Sequence, residues 1–372
     1  IMNKLLKYAY KTVYKKDPWL TPEDILKSKK PLNVGIELTN ICNAKCSFCG
    51  YGKSLLNGEG VDPRRKGTAK NAVFEKLLQL YSKAGGGTLS FGAILGEPSA
   101  DKRWLKLIDR ARTFKNIDSV TLYTNAILMD NFGYDNIIKS GITVLNISTS
   151  IGSADIYKRL YGTDDYDRVV SNIIGLLETN KKHGNIINIS LLLRVDKPYD
   201  TLYSSNDYKK IAKLIGKRKI SILEKWDNYR GSVTVSNLPQ GHKLNKNTEE
   251  KRLPCYALYR KLQVLYDGTI QGCSCRIEPE LFCGNIKEYN TMEEAYRDPK
   301  LESIRNNWLD GGDLPNCCQE CTHYIPYTSL IYSGGVKDIV KTAYKKLTTK
   351  YEPNYIDGKN IDGKNINLTN TD

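Results

Sequence analysis

The chain has 372 residues, 40% of them hydrophobic, enough for one large or two modest domains with a sizeable core. It contains no run of eighteen apolar residues, which excludes a helical membrane span, and its basic start "IMNKLLKYAYKTVYKK" is followed by neither an apolar signal region nor a small-residue cleavage site, so the expected address is the cytoplasm. The formal charge of +15 suits an acidic partner or simply the Lys-, Asn-, Ile- and Tyr-rich composition of AT-rich coding sequence. Its charges are scattered without a dense Lys/Arg block, so nucleic acid is not an expected partner.

Residues 1–31 read as a basic amphipathic helical extension. From there strands and helices alternate. "LNVGIEL" (32–38) is a short buried strand, followed by a helix over 68–86 with Thr68 as N-cap and glycines at its end. Strands follow at 88–94, 119–125, 143–150, 185–195 and 219–226, and helices at 101–114, 131–141, 166–184 and 205–217. Six such units imply a parallel sheet with right-handed crossovers, either doubly wound or curved into a partial barrel. In both, ligands sit at the C-terminal strand ends. Residues 227–254 form a polar, turn-rich linker. A smaller module spans 255–325, with a hairpin turning at Asp267-Gly268 and a helix over 291–312. The 326–372 segment reads as a helix and a disordered tail carrying "IDGKN" twice.

The ten cysteines fall into two groups, 42, 46 and 49, then 255, 273, 275, 283, 317, 318 and 321. Thiols used as small core hydrophobes would be scattered; clusters in a reducing compartment argue for metal. Three thiolates from one tight loop, Cys42-x3-Cys46-x2-Cys49, hold three irons of a four-iron cube and leave the fourth open for an exogenous ligand. The alternative is a zinc site completed by a distant residue, although His183, His242 and His323 are all far from this loop in sequence.

That spacing after a first strand, with Phe48 just before the last cysteine, resembles the signature of radical S-adenosylmethionine (SAM) enzymes. The resemblance implies a partial (β/α)6 barrel whose open iron binds the amino and carboxylate groups of SAM. A 5′-deoxyadenosyl radical then abstracts a substrate hydrogen, after an external donor such as flavodoxin or ferredoxin has supplied the electron. "LGEP" (95–98) resembles the family's GGEP, with Gly96, Glu97 and Pro98 matching and Leu95 departing. "YTNA" (123–126) resembles the usual TNG and brings Asn125 to the site. Ser148 and Ser150 lie where the family offers polar groups to the ribose and carboxylate, and Arg194 stands where it would pair with the SAM carboxylate.

In the second group, Cys255, Cys273, Cys318 and Cys321 resemble the auxiliary-cluster module called SPASM, or its short form, twitch. A full SPASM domain adds further cysteines after the CxxC; this chain has none after Cys321, which implies one auxiliary four-iron cluster on those four thiols. Cys275, Cys283 and Cys317 are spare. They are alternative ligands, remnants of a second site or, for Cys275 and Cys283, hydrogen donors to a substrate radical.

Together the resemblances imply a radical SAM oxidoreductase acting on a carbohydrate-like or other small substrate, with the auxiliary cluster taking the second electron. Alternatives are a modifier of ribosomally made peptides, a radical epimerase and, outside enzymes, an iron–sulfur electron carrier. Only 31 residues precede the first strand, too few for an independent peptide-clasping domain, which favours the small substrate. Substrate contacts are expected from "EKWDNYRGS" (224–232): Asp227 and Arg230 to bind or deprotonate, Trp226 and Tyr229 to stack on a ring.

Overall fold

The computed structural model describes residues 30–51, 64–92, 94–216, 219–247 and 254–325. Nearly all of the expected N-terminal extension and all of the C-terminal helix and tail lie outside the described residues.

Six strands run parallel and neighbour one another in chain order: β1 (Asn33–Ile36), β2 (Thr88–Phe91), β3 (Ser119–Thr124), β4 (Val144–Thr149), β5 (Asn188–Leu193) and β6 (Ile220–Ile222). The connecting helices are α1 (Asn71–Lys83), α2 (Trp104–Arg112), α3 (Tyr134–Lys139), α4 (Ala154–Tyr161), α5 (Tyr166–Lys182), α6 (Asp200–Ser204) and α7 (Asn206–Ile215). Sequential strand order with right-handed crossovers puts these helices on one side of the sheet. The result is an open, partial α/β barrel.

Register shows how the two faces divide. Ile36, Phe91, Leu122, Leu145 and Ile189 stand in one cross-strand row, and Val34, Leu89 and Val120 in another. All are buried and pack in one core with Phe74 and Leu77 of α1, Trp104 and Ile108 of α2 and Ile173 of α5. Each such side chain contributes roughly 1.5–3 kcal/mol by leaving water. The alternate positions face the other way and are mostly small or polar, Val144 and Leu192 excepted. Gly35, Ser90 and Thr121 form one row, Tyr123, Asn146 and Ser190 the next, and Ser148, Leu192 and Ser221 a third. Ser190 Oγ donates to Asn146 Oδ1 at 2.6 Å across this face. A sheet face covered by helices is apolar; this one is not, because it lines the concave interior.

After β6 the chain forms a short pair, β7 (Lys225–Trp226) with β8 (Lys243–Leu244). It then enters α8 (Tyr256–Arg260), β9 (Lys261–Val264), β10 (Thr269–Gln271) and β11 (Phe282–Asn285), followed by α9 (Met292–Tyr296), α10 (Pro299–Asp310) and α11 (Asn316–Gln319). The expected hairpin is present, but it does not stand apart. β9 pairs in parallel with β1, so one nine-stranded sheet runs β11-β10-β9-β1-β2-β3-β4-β5-β6.

Several local expectations shift. Thr68 does not cap α1, because it bridges to Thr39, with the two hydroxyls 3.2 Å apart; Lys70 takes the cap position without a side-chain bond. The strand expected over 219–226 breaks after Ile222, and the helix expected over 291–312 breaks before Pro299. α4 was not expected, although Ser153 caps it and Gly162 ends it in the left-handed conformation at φ +67°. Among the described residues no helix is long and apolar enough to cross a membrane.

Candidate active site

The Cys42–Cys49 loop leaves β1 at its C-terminal end and is held by backbone bonds that do not involve the thiols. Lys45 N–H and Ser47 N–H donate to the Tyr161 and Leu160 carbonyls at the end of α4 at 2.9 and 2.8 Å, and Ser47 Oγ donates to the Asn237 carbonyl at 2.8 Å. Cys42, Cys46 and Cys49 interact electrostatically with one another. Burial, with Glu97 nearby, pushes the Cys42 thiol up to about 12, and burial raises Cys46 as well. Thiols held this way ionise when a cation joins them.

The other expected positions surround this loop. Phe48 packs between Tyr161 and Trp226, with ring centroids at 5.4 and 5.2 Å, and the Arg194 guanidinium lies 5.9 Å from its ring. Arg194 follows β5, donates from Nη1 to the Leu192 carbonyl at 2.7 Å and acts electrostatically on Cys46. Its Nε is buried without a hydrogen-bond partner, as are Ser150 Oγ and Asn43 Nδ2. Ser148 is half-buried on the concave face. Unpartnered buried donors converging beside a cysteine loop are a fit for a polar ligand with carboxylate and hydroxyl groups.

Glu97 has a bracing role. Its carboxylate accepts from Ser99 Oγ at 2.7 Å, Thr124 Oγ1 at 2.8 Å and Asn125 N–H at 2.8 Å, tying the 95–98 turn to the end of β3. Pro98 begins the short 3-10 turn that follows. Asn125 Nδ2 in turn donates to Asn43 Oδ1 at 2.8 Å, so the β3 end is fastened to the cysteine loop. Ala126, where the family pattern has glycine, sits at φ +64°. Gly96 has φ +89°, and a Cβ there would lie 2.0 Å from the Thr39 carbonyl. Gly96→Ala is therefore expected to lower Tm by about 2–3 °C, since the left-handed backbone and the clash together cost about 2 kcal/mol. A thermal melt matching wild type would contradict this.

At the second group, Cys255, Cys273, Cys318 and Cys321 interact electrostatically with one another. They line one cavity together with Cys317. Among the described residues, Glu278, Glu280 and Cys317 bring their ligand atoms within 4.8 Å of one another. The Glu278 and Glu280 carboxylates already share the Arg230 guanidinium, each at 3.3 Å.

The remaining expected residues turn inward. Asp227 accepts from Arg276 Nε at 2.6 Å and from Arg276 Nη2 and Thr322 Oγ1, and these bonds hold its carboxyl below the usual range despite its burial. A carboxylate so engaged is a poor proton acceptor. Arg230 reaches the auxiliary module rather than the concave face. Trp226 is buried, donating from Nε1 to His242 Nδ1 at 3.1 Å, so its ring is not presented for substrate stacking, and the half-buried Tyr229 packs edge-on against Tyr51 with centroids 5.6 Å apart. Cys275 sits beside Cys273, its N–H 3.3 Å from that sulfur, and also near Tyr229. Cys283 lies on β11 next to Asp298, its thiol pushed up to about 12 by burial and that carboxylate. Sequence reasoning did not reach Arg276, Thr322, Asn43 or Tyr51. Their partners are distant in the chain, and no spacing marks them.

Residues 36–198 match the model of the Radical SAM superfamily. Its fold is similar to that of BtrN in complex with AdoMet and 2-DOIA, at 16% identity and TM-score 0.50, covering 81% of this chain and 96% of that one. It is also similar to Streptococcus suis SuiB bound to precursor peptide SuiA, at 16% identity and TM-score 0.56, covering 79% of this chain and 70% of that one. A probable GTP 3′,8-cyclase of Thermoplasma volcanium is 22% identical over 76% of this chain and 92% of its own length.

Proposed function

We propose that this chain is an oxidoreductase that removes a hydrogen atom from a small, non-acidic, hydroxyl-bearing substrate held on the concave face of β1–β6. The carrying observation is that face itself, rows of Ser, Thr, Tyr and Asn in which Asn146 Nδ2 is buried without a partner, with Arg194 following β5 at its C-terminal end. Hydroxyls and amides recognise hydroxyls by hydrogen bonds; a strongly anionic substrate would call for several unpaired cations.

Cys42, Cys46 and Cys49 hold the first cluster. Gly96, Pro98, Asn125, Ser148, Ser150 and Arg194 surround the SAM position, Glu97 braces the turn beneath it and Phe48 fixes Arg194. When bound, the cluster and SAM supply a 5′-deoxyadenosyl radical, after an external donor such as flavodoxin or ferredoxin delivers one electron. Cys255, Cys273, Cys318 and Cys321 would hold an auxiliary cluster, which when bound would supply an acceptor for the second electron.

Two rival readings have specific support. The likeness to a probable GTP cyclase favours a nucleotide. Against it, Arg64, Arg230 and Arg276 are all in ion pairs with Glu37, Glu278 and Asp227. The likeness to SuiB with its peptide favours a peptide substrate. The test is anaerobic turnover in deuterated water with three panels, polyols and aminocyclitols, GTP, and short peptides, read by mass spectrometry. A polyol or aminocyclitol product two hydrogens lighter is expected. Turnover of GTP or peptide alone would sink the substrate class. An unoxidised product carrying one deuterium at an inverted carbon, lost in Cys275→Ala or Cys283→Ala, would replace oxidation by epimerisation.

A further inference from the structure

Arg276 stands between the two cysteine groups, and its burial calls for explanation. Its side chain is 2% exposed, and a guanidinium taken out of water costs several kcal/mol unless its donors are met. One edge is fully engaged: Nε and Nη2 grip the Asp227 carboxylate in a fork, and Nη2 also lies 3.3 Å from Thr322 Oγ1. The other nitrogen is not. Nη1 is buried without a hydrogen-bond partner, and the nearby Glu278 Oε1, at 3.6 Å, is itself unpartnered. Arg276 forms part of the wall of the cysteine-lined cavity and interacts electrostatically with Cys321. On its other side it lies 5.9 Å from the ring of Tyr229, which packs on Gly50 beside the first cysteine group.

We infer that Arg276 is a positioning residue of the auxiliary site: Asp227 holds Nε and Nη2 and offsets part of the positive charge, while Nη1, ion-paired with Glu278 at 3.6 Å but without a hydrogen bond, would donate a charged hydrogen bond to the sulfur ligation at Cys321 and set the reduction potential there. The inference rests on reading that cavity as a cluster site. Hydrogen bonds to sulfur and nearby net charge are among the levers that set such potentials. Reduction adds negative charge, so a positive neighbour makes it easier and a negative one harder. Asp227 and Arg276 therefore have opposite expected effects, which a purely structural pair would not have.

The experiment uses the full chain with Cys42, Cys46 and Cys49 replaced by Ala, so that any remaining cluster signal is the auxiliary one. The potential is read by redox titration followed by electron paramagnetic resonance, with iron content measured in parallel. Arg276→Gln is expected to shift the potential negative, Arg276→Lys to recover part of that shift, and Asp227→Asn to shift it positive. An iron-loaded Arg276→Gln variant with unchanged potential overturns the inference, and so do shifts of the same sign in Arg276→Gln and Asp227→Asn. If Arg276→Gln fails to load iron, Arg276→Lys, which keeps the charge but loses the fork, decides: a negative shift supports the role, an unchanged potential ends it. An iron-free parent removes the auxiliary site itself and Arg276's role with it, a result distinct from a loaded parent whose potential ignores Arg276.

Discussion

Replacing Cys42, Cys46 and Cys49 together with Ala is expected to cut the iron of anaerobically reconstituted protein from about eight per chain to about four and to abolish formation of 5′-deoxyadenosine. The fold should survive. The loop is fastened through the backbone of Lys45 and Ser47 and the Ser47 hydroxyl, and Glu97 N–H donates to the Ile41 carbonyl at 2.9 Å; none of these bonds needs a thiol. Each substitution exchanges a half-buried thiol for a hydrogen on the same Cβ, a small change where no metal is bound. Loss of chemistry with retained thermal stability and retained auxiliary iron is the expected pattern. Continued production of 5′-deoxyadenosine by the triple variant would end the radical SAM reading.

The second large effect is expected at the auxiliary module. Cys255→Ala and Cys321→Ala should each lose about four irons and destabilise residues 255–325, because ligation in so small a module is also folding free energy. Cys255 precedes α8 and Cys321 follows α11, so a shared cluster closes a long loop. Loop-closure entropy alone puts such a crosslink at about 4 kcal/mol. The loss should spread, since β9 is bonded to β1 in the central sheet and Tyr256 N–H donates to the Ile325 carbonyl at 2.9 Å, closing the module's ends. Limited proteolysis should therefore cut within 255–325 first, followed by a lowered Tm for the whole chain. A complete, stable second cluster in both variants would overturn the ligand assignment.

The alternation of strands and helices was legible because it is local. Period-2 runs such as "TVLNISTS" and period-3.6 runs such as "YDRVVSNIIGLLETNKKHG" carry their own signal, and β4 and α5 lie within them. Element ends were less legible where a tertiary partner competed. Thr68 had the chemistry of a cap, but Thr39 took its hydroxyl. The spacing of Cys42, Cys46 and Cys49 was legible for the same reason as the helices: three ligands on one turn are close in space because they are close in sequence.

What the sequence by itself determined, then, was the succession of β/α units and the existence of two thiol-rich places. Tertiary structure alone decided how they combine. That Ser90, Thr121, Asn146 and Ser190 share a concave face follows from strand register, which depends on which apolar rows the helices cover. β9 joins β1 although the two strands begin more than two hundred positions apart, and Ile277 N–H meets the Tyr51 hydroxyl at 2.6 Å across a separation of 226. Asp227 read as a free acid in a polar linker; in the fold it is clamped by Arg276, 49 residues on, and Thr322, 95 residues on. The physical reason is the same in each case. A buried charge or donor must find a partner, but which partner is set by the packing of elements that no local pattern connects.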